Sequence, residues 1–385
     1  MKFSLFALGS ALSVNAAVLG QRASYAVVGK PEGFASGTTG GGSAACKVPS
    51  SVSELKTWLT DSTPRCIVLD KEYNFKGTEG TAKETGCRPA SNKCPGNGGQ
   101  DAINHAEWCT NGNAGAGSKS ISVTYDKAGV SGINMGSNKS VIGVGSKGVI
   151  RGKGLRIANG AKNIIIQNIH ITELNPQYIW GGDAITVDGA DQVWIDHCKF
   201  SLIGRQMFVA GNGASNRLTL SNNEFDGQTS WSATCDGRHY WAIYLTGSSD
   251  LVTMKNNYIH HTSGRSPKIG GNSLVHAVNN YWYSNSGHAF DNGQGGKVVA
   301  EGNVFQNVAT PLLENKGSFF GSPSTSANAV CSANLGHTCQ MNSFGSSGSL
   351  GGSDTNFLSN FKGKSIASAS TASSNIASKA GVGKI

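Results

Sequence analysis

Two basic segments could do chemistry on an anionic or strongly polarised substrate. Arg205 lies within Gly204-Arg205-Gln206, and Arg265-Ser266-Pro267-Lys268 places two cations on one short turn whose φ is fixed by Pro267. Because like charges repel at short distance, this clustering favours an anionic or polarised partner. A turn whose cations are only solvated is the alternative. Cations of this kind suit stabilisation of an enolate better than stabilisation of an oxocarbenium ion.

A carboxylate and several aromatic residues accompany these cations. Trp180-Gly181-Gly182-Asp183-Ala184-Ile185 presents Asp183 beside an aromatic ring, before Arg205 in the chain. Asp183 could accept backbone N–H groups in a turn or pair with Arg205, and a paired guanidinium still offers planar donors to a substrate carboxyl or ester. Further aromatic faces suit sugar rings, although stacking within the core is the alternative. They are Trp231, Tyr240, Trp241 and Tyr244.

The sequence gives little support for hydrolytic chemistry. GxSxG is absent, and no Ser-His-Asp or Cys-His arrangement is indicated. A glycosidase needs two carboxylates about 5 to 10 Å apart. Although further aspartates follow Asp183, no group of acids converges on Arg205 and Arg265. The cysteines include no CxxC pair or Cys/His spacing, so zinc binding through sulfur is not expected.

A repeated pattern indicates the elements that must position these residues. Apolar triplets precede asparagine, and this position recurs at 168, 197, 222, 256 and 279, with His197 in one slot. Asparagine tolerates the left-handed conformation of a tight turn, and stacked side-chain amides can hydrogen-bond from coil to coil. The pattern predicts an all-β fold, a right-handed single-stranded parallel β-helix with an asparagine ladder. A β-sandwich or barrel is the alternative, but it would not explain Asn-Asn pairs at matching offsets.

The same register predicts which residues share one side of the solenoid. Arg205, Trp231 and Arg265 each lie eight or nine residues after a ladder position, so they should line one lateral groove. Cys198 occupies a ladder slot, and we expect it inside the tube, unpaired and inert. A helix around residues 51–59 should cap the apolar end, with long loops on the groove side. The Ser/Gly/Ala-rich tail after about residue 311 should wrap the outside or fray.

Length and composition indicate one secreted, elongated domain. Residues 1–17 have the pattern of a cleavable signal peptide, with a buried first helix as the alternative. Residues 18–385 would then form a single β-helix domain, because each coil of a solenoid buries its neighbour. Nine cysteines suit an oxidising compartment, and their odd number leaves at least one outside an internal disulfide. Asn138-Lys139-Ser140 is a glycosylation sequon.

The charge of the chain bears on its partners. The formal net charge is +9 and the isoelectric point about 9.1, while charged residues make up only 14% of the chain. In a secreted chain without a nucleic-acid-binding motif, this excess favours an acidic extracellular polymer over nucleic acid. A basic surface that serves only solubility is the alternative. No stretch after the signal peptide is long and apolar enough to cross a membrane, and we expect a monomer.

Several longer motifs together give the chain a family resemblance. They are Trp180-Gly181-Gly182-Asp183-Ala184-Ile185, Val193-Trp194-Ile195-Asp196-His197, Ile203-Gly204-Arg205-Gln206, Ala233-Thr234-Cys235-Asp236-Gly237, His239-Tyr240-Trp241, Ser263-Gly264-Arg265-Ser266-Pro267-Lys268 and Gly287-His288-Ala289-Phe290. From about Gly33 to Gly381 the chain resembles polysaccharide lyase family 1, specifically the fungal pectin lyases. The resemblance implies a parallel β-helix and endo-acting β-elimination of pectin, a methyl-esterified polygalacturonan.

The resemblance also assigns catalytic roles. Arg265 matches the catalytic arginine, with Asp183, Arg205 and Lys268 around it. In the implied reaction the proton on C5, which is α to the C6 carboxyl, is removed. Methyl esterification makes this proton more acidic because no negative charge then opposes enolate formation. Cations near C6 stabilise the oxyanion, and the C4–O4 bond breaks.

Metal binding is a further point on which the resemblance bears. Calcium-dependent pectate lyases of the family carry acidic ligands at the positions of Gly181, Arg205 and Val209, which leaves only Asp183 here. Calcium needs several oxygen ligands, so we expect no metal or other cofactor, and Arg205 would supply the positive charge. The alternatives are a calcium-dependent pectate lyase, a polygalacturonase and a catalytically silent β-helix that binds wall polysaccharide.

The family pattern implies aromatic substrate contacts and disulfides as well. The loop Cys87-Arg88-Pro89-Ala90 lacks a tryptophan that some relatives place in the groove, so outer subsites should bind more weakly. The expected substrate-binding residues are Trp108, Trp180, Trp231, Tyr240 and Trp241. The expected disulfides join Cys87 to Cys109, Cys94 to Cys235 and Cys331 to Cys339, with Cys46 to Cys66 in addition to the family set.

Overall fold

The chain winds in successive coils, each of which contributes strands to three faces of a long tube. The structure is a computed structural model that describes residues 25–385, so the predicted signal peptide at residues 1–17 lies outside the described residues. One face is a ten-stranded sheet. Its strands are Cys46–Lys47, Arg65–Leu69, Lys139–Gly143, Lys162–Gln167, Asp191–Asp196, Asn216–Ser221, Asp250–Lys255, Ser273–Val278, Lys297–Glu301 and Ser318–Phe320.

The second and third faces belong to one fifteen-stranded sheet, which passes from one face to the other through the paired long strands Tyr281–Asn292 and Val304–Asn315. The other strands of the second face are Glu72–Asn74, Val149–Arg151, His170–Leu174, Lys199–Ile203, Glu224–Asp226, Tyr258–His260 and Ser343–Gly345. Those of the third face are Ile133–Asn134, Leu155–Ala158, Ile185–Asp188, Phe208–Asn212, Ile243–Gly247 and Lys268–Ile269.

Cross-coil pairing keeps equivalent residues of successive coils in register. On the first face Ile165 pairs with Trp194, and Trp194 pairs with Thr219, in parallel strands. Inward residues such as Ile164 and Val193 are buried in one continuous apolar core that runs along the tube. Each coil therefore buries its apolar side against the next one. The predicted parallel β-helix is confirmed.

An asparagine ladder joins the coils at the turn between the first and second faces. The first residue of each pair has φ in the left-handed region, 52° at Asn222, which asparagine tolerates. The second residue points inward, and Asn257 Nδ2 donates to Asn280 Oδ1 over 2.8 Å. Cys198 takes the inward place on its coil, where it is fully buried and unpaired, and its N–H donates to Asn223 Oδ1 over 2.9 Å. The ladder and the inert Cys198 were both predicted.

A helix closes one end of the core, as predicted. Val52–Thr60 begins at Ser51, whose hydroxyl accepts the N–H of Glu54, and it buries Leu55 and Leu59. The remaining α-helices and 3-10 turns are short and lie outside the tube. They are Thr325–Asn328, Ser332–Leu335, Ile376–Lys379, Gly33–Ala35, Pro95–Asn97, His105–Glu107, Ala329–Cys331 and Leu358–Phe361. No helix within residues 25–385 is long and apolar enough to cross a membrane.

Loops on one side carry a fourth, small sheet. Its strands are Thr81–Arg88, Asp101–Ala102, Lys119–Asp126 and Tyr178–Ile179. Two disulfides restrain this region. Cys87 bonds to Cys109, and Cys94 bonds to Cys235. The Cys46–Cys66 and Cys331–Cys339 bonds are also present, so all of the predicted pairings are confirmed.

The tail and the sequon lie against the outside of the coils. The Gly381 N–H donates to the carbonyl of Asn222 over 2.8 Å, so the tail wraps the solenoid. Asn138 belongs to a stack along a coil turn, because its Oδ1 accepts from Asn163 Nδ2 over 2.8 Å. The neighbouring Lys139 and Ser140 are buried. Glycosylation of Asn138 stays a prediction, and its side chain is engaged rather than free at the surface.

Candidate active site

The turn that carries Arg265 is held by the coils on both sides. The backbone carbonyl of Arg265 accepts the N–H of Ile243 over 2.6 Å, and the backbone N–H of Arg265 donates to Nε2 of His288 over 3.1 Å. The backbone of Arg265 has a φ of 42°, in the left-handed region that a long side chain adopts only when its surroundings impose it. The peptide bond between Ser266 and Pro267 is cis. These contacts fix the point from which the guanidinium leaves the coil.

The guanidinium of Arg265 lies over a platform of aromatic rings. Its carbon is 4.6 Å from the ring centroid of Trp241, 5.2 Å from that of Tyr244 and 5.7 Å from that of Tyr240. Cation–π attraction orients the group without neutralising its charge. No carboxylate in the described part of the chain lies within ion-pair distance of it. Arg265 therefore presents an uncompensated positive charge.

Arg205 sits two coils away, on the far side of the coil that carries Trp241, and is partly neutralised. Its Nη1 is 3.6 Å from Oδ2 of Asp183, and its guanidinium lies 3.5 Å above the ring of Trp180. Burial lowers the pKa of Arg205, and the nearby charge of Arg265 adds to this effect while Asp183 opposes it. Burial likewise raises the pKa of Asp183, against the effect of Arg205. Asp183 also accepts the N–H of Gln206 over 2.8 Å, so it orients the Arg205 turn.

Lys268 completes the group of cations on the outer surface of the third face. It pairs in register with Tyr244 on one side and Asp291 on the other, and Tyr244 pairs with Val209. These side chains form one row across successive coils. The Nζ of Lys268 lies 2.6 Å from Oδ2 of the buried Asp291. The predicted grouping of Arg205, Arg265, Lys268 and Asp183 is what the structure brings together.

Two further side chains hold the site residues in place through hydrogen bonds. Nε2 of His239 lies 2.7 Å from the carbonyl oxygen of Arg205 and 3.0 Å from that of Trp241, and burial lowers the pKa of His239 to about 4. His239 is thus a neutral donor that joins two coils. Gln100 accepts from Trp241 Nε1 over 3.0 Å and donates to the carbonyl of Gly204 over 2.8 Å. Sequence patterns did not indicate Gln100, which lies in an irregular loop before the repeat.

A cavity of about 640 Å³ opens beside Arg205. Trp180, Asp183 and Arg205 lie on one side of it, and His105 lies close to Trp180, with ring centroids 4.4 Å apart. The cavity is large enough for sugar units and combines aromatic faces with a few polar groups, as carbohydrate and small-molecule sites do. It extends the cationic row toward the capped end of the solenoid.

Known proteins share this architecture. A family model described as pectate lyase matches residues 109–385. The chain belongs to the pectate lyase family. It is 59% identical over 366 residues to pectin lyase B from Emericella nidulans, which covers 93% of this chain and 94% of that protein.

Solved pectate lyases share the fold at low sequence identity. One from Bacillus sp. N165, in complex with trigalacturonate, has a TM-score of 0.57 and 20% identity, and the match covers 92% of this chain and 99% of that one. Another, from Acidovorax avenae subsp. citrulli, has a TM-score of 0.55 and 16% identity, with coverages of 97% and 99%. At this identity the likeness bears on the fold alone.

The donor set at the site does not fit the calcium ion that the family resemblance brings into question. Among residues 25–385, Asp183 is the carboxylate within ion-pair distance of Arg205, and the guanidinium lies where it would compete with a cation for that carboxylate. At Gly181 a side chain would have no room, because its Cβ would come within 2.3 Å of the carbonyl of Asn175. Calcium takes six to eight oxygen ligands. The two acid and histidine clusters within residues 25–385 that could hold a metal lie elsewhere.

The expected aromatic contacts divide into two groups. Trp180, Tyr240 and Trp241 contact the arginines, as described above. Trp108 is half-buried and packs against the same small apolar cluster as Trp180 and Trp241, so it supports the wall of the site. Tyr244, which the family pattern did not place among the substrate contacts, lies under Arg265.

The structure does not place Trp231 in one groove with the arginines as the register predicted, and its role in substrate binding stays a prediction. It lines a separate depression with Gln177, Leu202 and Ser230, and none of the three cations of the site lines that depression. The register argument failed because the segment from residue 227 to 242 is a long loop, closed by a pairing of Gln228 with Arg238 and tethered through the Cys94–Cys235 disulfide. Counting residues from the ladder therefore no longer predicts where a side chain leaves the coil.

Proposed function

We propose that the chain is a pectin lyase that cleaves α-1,4 bonds within methyl-esterified galacturonan by β-elimination, without calcium, and releases 4,5-unsaturated oligosaccharides. Its family and its 59% identity to pectin lyase B of Emericella nidulans make it a lyase that degrades pectin. The observation that carries the calcium-independent mode is the position of the Arg205 guanidinium, 3.6 Å from Asp183. A fixed positive charge thus stands beside Asp183, the carboxylate that a metal at this point would need.

The reaction needs positive charge at the C6 oxygens of the sugar. A base takes the C5 proton, and the electron pair is delocalised over C5, C6 and the carbonyl oxygen as an enolate. The enolate then collapses to form the C4–C5 double bond as the C4–O4 bond breaks, and the departing O4 oxygen takes up a proton from water. We assign Arg265 to the reacting C5 centre, because its charge is uncompensated and its backbone is fixed. Arg205 and Lys268 are assigned to the oxyanion. Each well-placed donor of this kind contributes about 3 kcal/mol in other enzymes.

Several features support a neutral ester over a free carboxylate as substrate. Three cations stand against two carboxylates, Asp183 and Asp291, so most of the positive charge is already matched. A free polyuronate would bring an anion close to Asp183. The rings of Trp180, Tyr240 and Trp241 instead offer apolar faces to a methyl ester and a sugar ring.

The experiment that tests this function is ultraviolet absorbance of the unsaturated product. Highly methyl-esterified pectin with EDTA is compared with polygalacturonate with calcium, and Arg265→Ala serves as the blank. Absorbance that grows on pectin despite the chelator is the expected result. Activity only on polygalacturonate with calcium would overturn the calcium-independent mode. A rapid loss of viscosity at low product yield would support the endo mode, and product yield that keeps pace with viscosity loss would contradict it.

Secretion and a monomeric state belong to the same proposal. Four disulfides support an oxidising, extracellular location, where wall pectin is found. The signal peptide at residues 1–17 would direct export. Comparing the protein in culture medium with that in cell extract tests the location, and light scattering tests the monomer.

A further inference from the structure

Trp231 is an exposed aromatic residue that lines a different cavity from Arg205. All seven tryptophans lie in the described part of the chain, and Trp231 alone falls among the exposed large hydrophobic side chains, at 36%. No arginine or lysine lies over its ring, and no other ring of residues 25–385 stacks on it. An isolated exposed apolar residue needs no explanation. A tryptophan at the edge of a cavity is different, because it offers a flat face beside polar groups.

The cavity beside Trp231 is separate from the catalytic groove. Its volume is about 460 Å³, and Tyr125 is the single residue that lines both it and the cavity next to Arg205. It continues past Leu202 and Ser230 into an open depression of about 550 Å³ that reaches His261. An elongated chain could therefore lie across Trp231. Sites of this volume accept small ligands.

The charges of this cavity are satisfied internally. Lys76 Nζ lies 2.8 Å from Glu173 Oε2, and Glu173 also pairs with Arg151. Asp126 accepts the N–H of Gly77 over 2.6 Å and that of Ala128 over 2.9 Å. The lining thus contributes two carboxylates against one lysine, the reverse of the catalytic groove. A polyanion gains nothing from such a surface.

The remaining lining groups suit an uncharged sugar. Thr81, Thr124 and Ser230 provide hydroxyls, and Gln177 provides an amide, while Pro176 and Leu202 are apolar. A sugar ring needs a flat apolar surface to stack on and hydrogen-bonding partners for its hydroxyls, and this surface offers both. We propose that this surface, the Trp231 groove, binds a neutral glycan chain whose pyranose ring stacks on Trp231.

The loop that presents Trp231 is already held in place. The Trp231 N–H donates to the Thr229 hydroxyl over 3.0 Å, and the Thr229 N–H donates to the carbonyl of Gly237 over 3.0 Å. The Cys94–Cys235 disulfide tethers the loop to its neighbour. A ligand therefore meets a preorganised ring and loses little free energy in ordering it. Holding the enzyme on uncharged wall sugars would raise its effective concentration near pectin.

Binding of β-1,4-galactan, measured by isothermal titration calorimetry, tests the Trp231 groove. The measurement uses Arg265→Ala protein, so that turnover plays no part and failure of the proposed lyase activity would not affect the result. Trp231→Ala in this background should weaken galactan binding at least about tenfold, which is about 1.4 kcal/mol. Trp231→Phe, which keeps an aromatic face, should retain most of the affinity.

Controls make the result specific. Phe344→Ala removes another exposed aromatic residue, far along the chain, and should leave galactan binding unchanged. Unchanged thermal melting of Trp231→Ala would show that the fold is intact. The proposal is overturned if the Arg265→Ala protein does not bind galactan, or if Trp231→Ala binds it as well as the parent does. It is also overturned if polygalacturonate binds through Trp231 as tightly as galactan.

Discussion

Lys268 and Asp291 form an ion pair across two neighbouring coils, with Nζ 2.6 Å from Oδ2. Asp291 is buried, and its other oxygen has no hydrogen-bond partner among residues 25–385. The pair fixes the ammonium group on the row that also carries Tyr244. It also makes the chain depend on that ammonium, because a buried carboxylate without a partner is destabilising.

Replacing Lys268 with Met should therefore lower both activity and stability. We expect kcat on methylated pectin to fall about a hundredfold, because one oxyanion donor is lost. Tm should fall because Asp291 is left unpaired. Adding Asp291→Asn removes the unpaired charge and should recover Tm while kcat stays low. Recovery of kcat in the double variant would contradict the assignment of Lys268 to the oxyanion.

Arg205→Ala tests whether a fixed guanidinium takes the place of a metal. We expect kcat to fall by about two to three orders of magnitude, with no rescue by added calcium, since Asp183 alone cannot supply the oxygens that calcium needs. Arg217→Ala is a matched control, because Arg217 pairs with Asp191 on the first face. It should leave kcat unchanged. Full activity of Arg205→Ala in calcium would show that the site does accept a metal.

The fold and the cationic group could be predicted because both follow from the repeat. A ladder position recurs in each coil, and Arg205 and Arg265 leave their coils at equivalent points after it. Where the chain departs from the repeat, prediction failed. Gln100 reaches the site from an irregular loop, and Trp231 lies on a loop that a disulfide to Cys94 redirects. Such long-range contacts have no local pattern in the sequence.

A group of two histidines and a glutamate, in which His276 and Glu301 are buried and His337 is half-buried, predicts how stability depends on pH. His276 and His337 each place Nε2 2.8 Å from Glu301 Oε1, joining the core to the segment after Cys331. The bond to Glu301 raises the pKa of His337 above its usual 6.5, so its contribution is complete below that pH and is lost as pH rises through the raised value. Despite burial, which acts the other way, the two histidines lower the pKa of Glu301 to about 2, so its contribution is present above about 4.5 and is lost as pH falls toward 2.

His337→Gln should remove the alkaline part of this dependence. Below about pH 6.5 the variant should be less stable than the parent by about 1 kcal/mol, and the difference should shrink as pH rises. Melting curves between pH 5 and 9 would measure it. A constant difference across that range would mean that the charge of His337 does not contribute.

The inward asparagines should be the part of the ladder that stability depends on most. Asn257 is fully buried, donates to the carbonyl of Leu220 over 2.9 Å and accepts from Asn223 Nδ2 over 3.0 Å. Asn257→Ala leaves these buried groups without partners, and each such group costs about 1 to 3 kcal/mol. We expect a marked loss of Tm, whereas the exposed Asn356→Ala should melt like the parent. Equal melting of the two variants would mean that the apolar core, rather than the ladder, holds the coils in register.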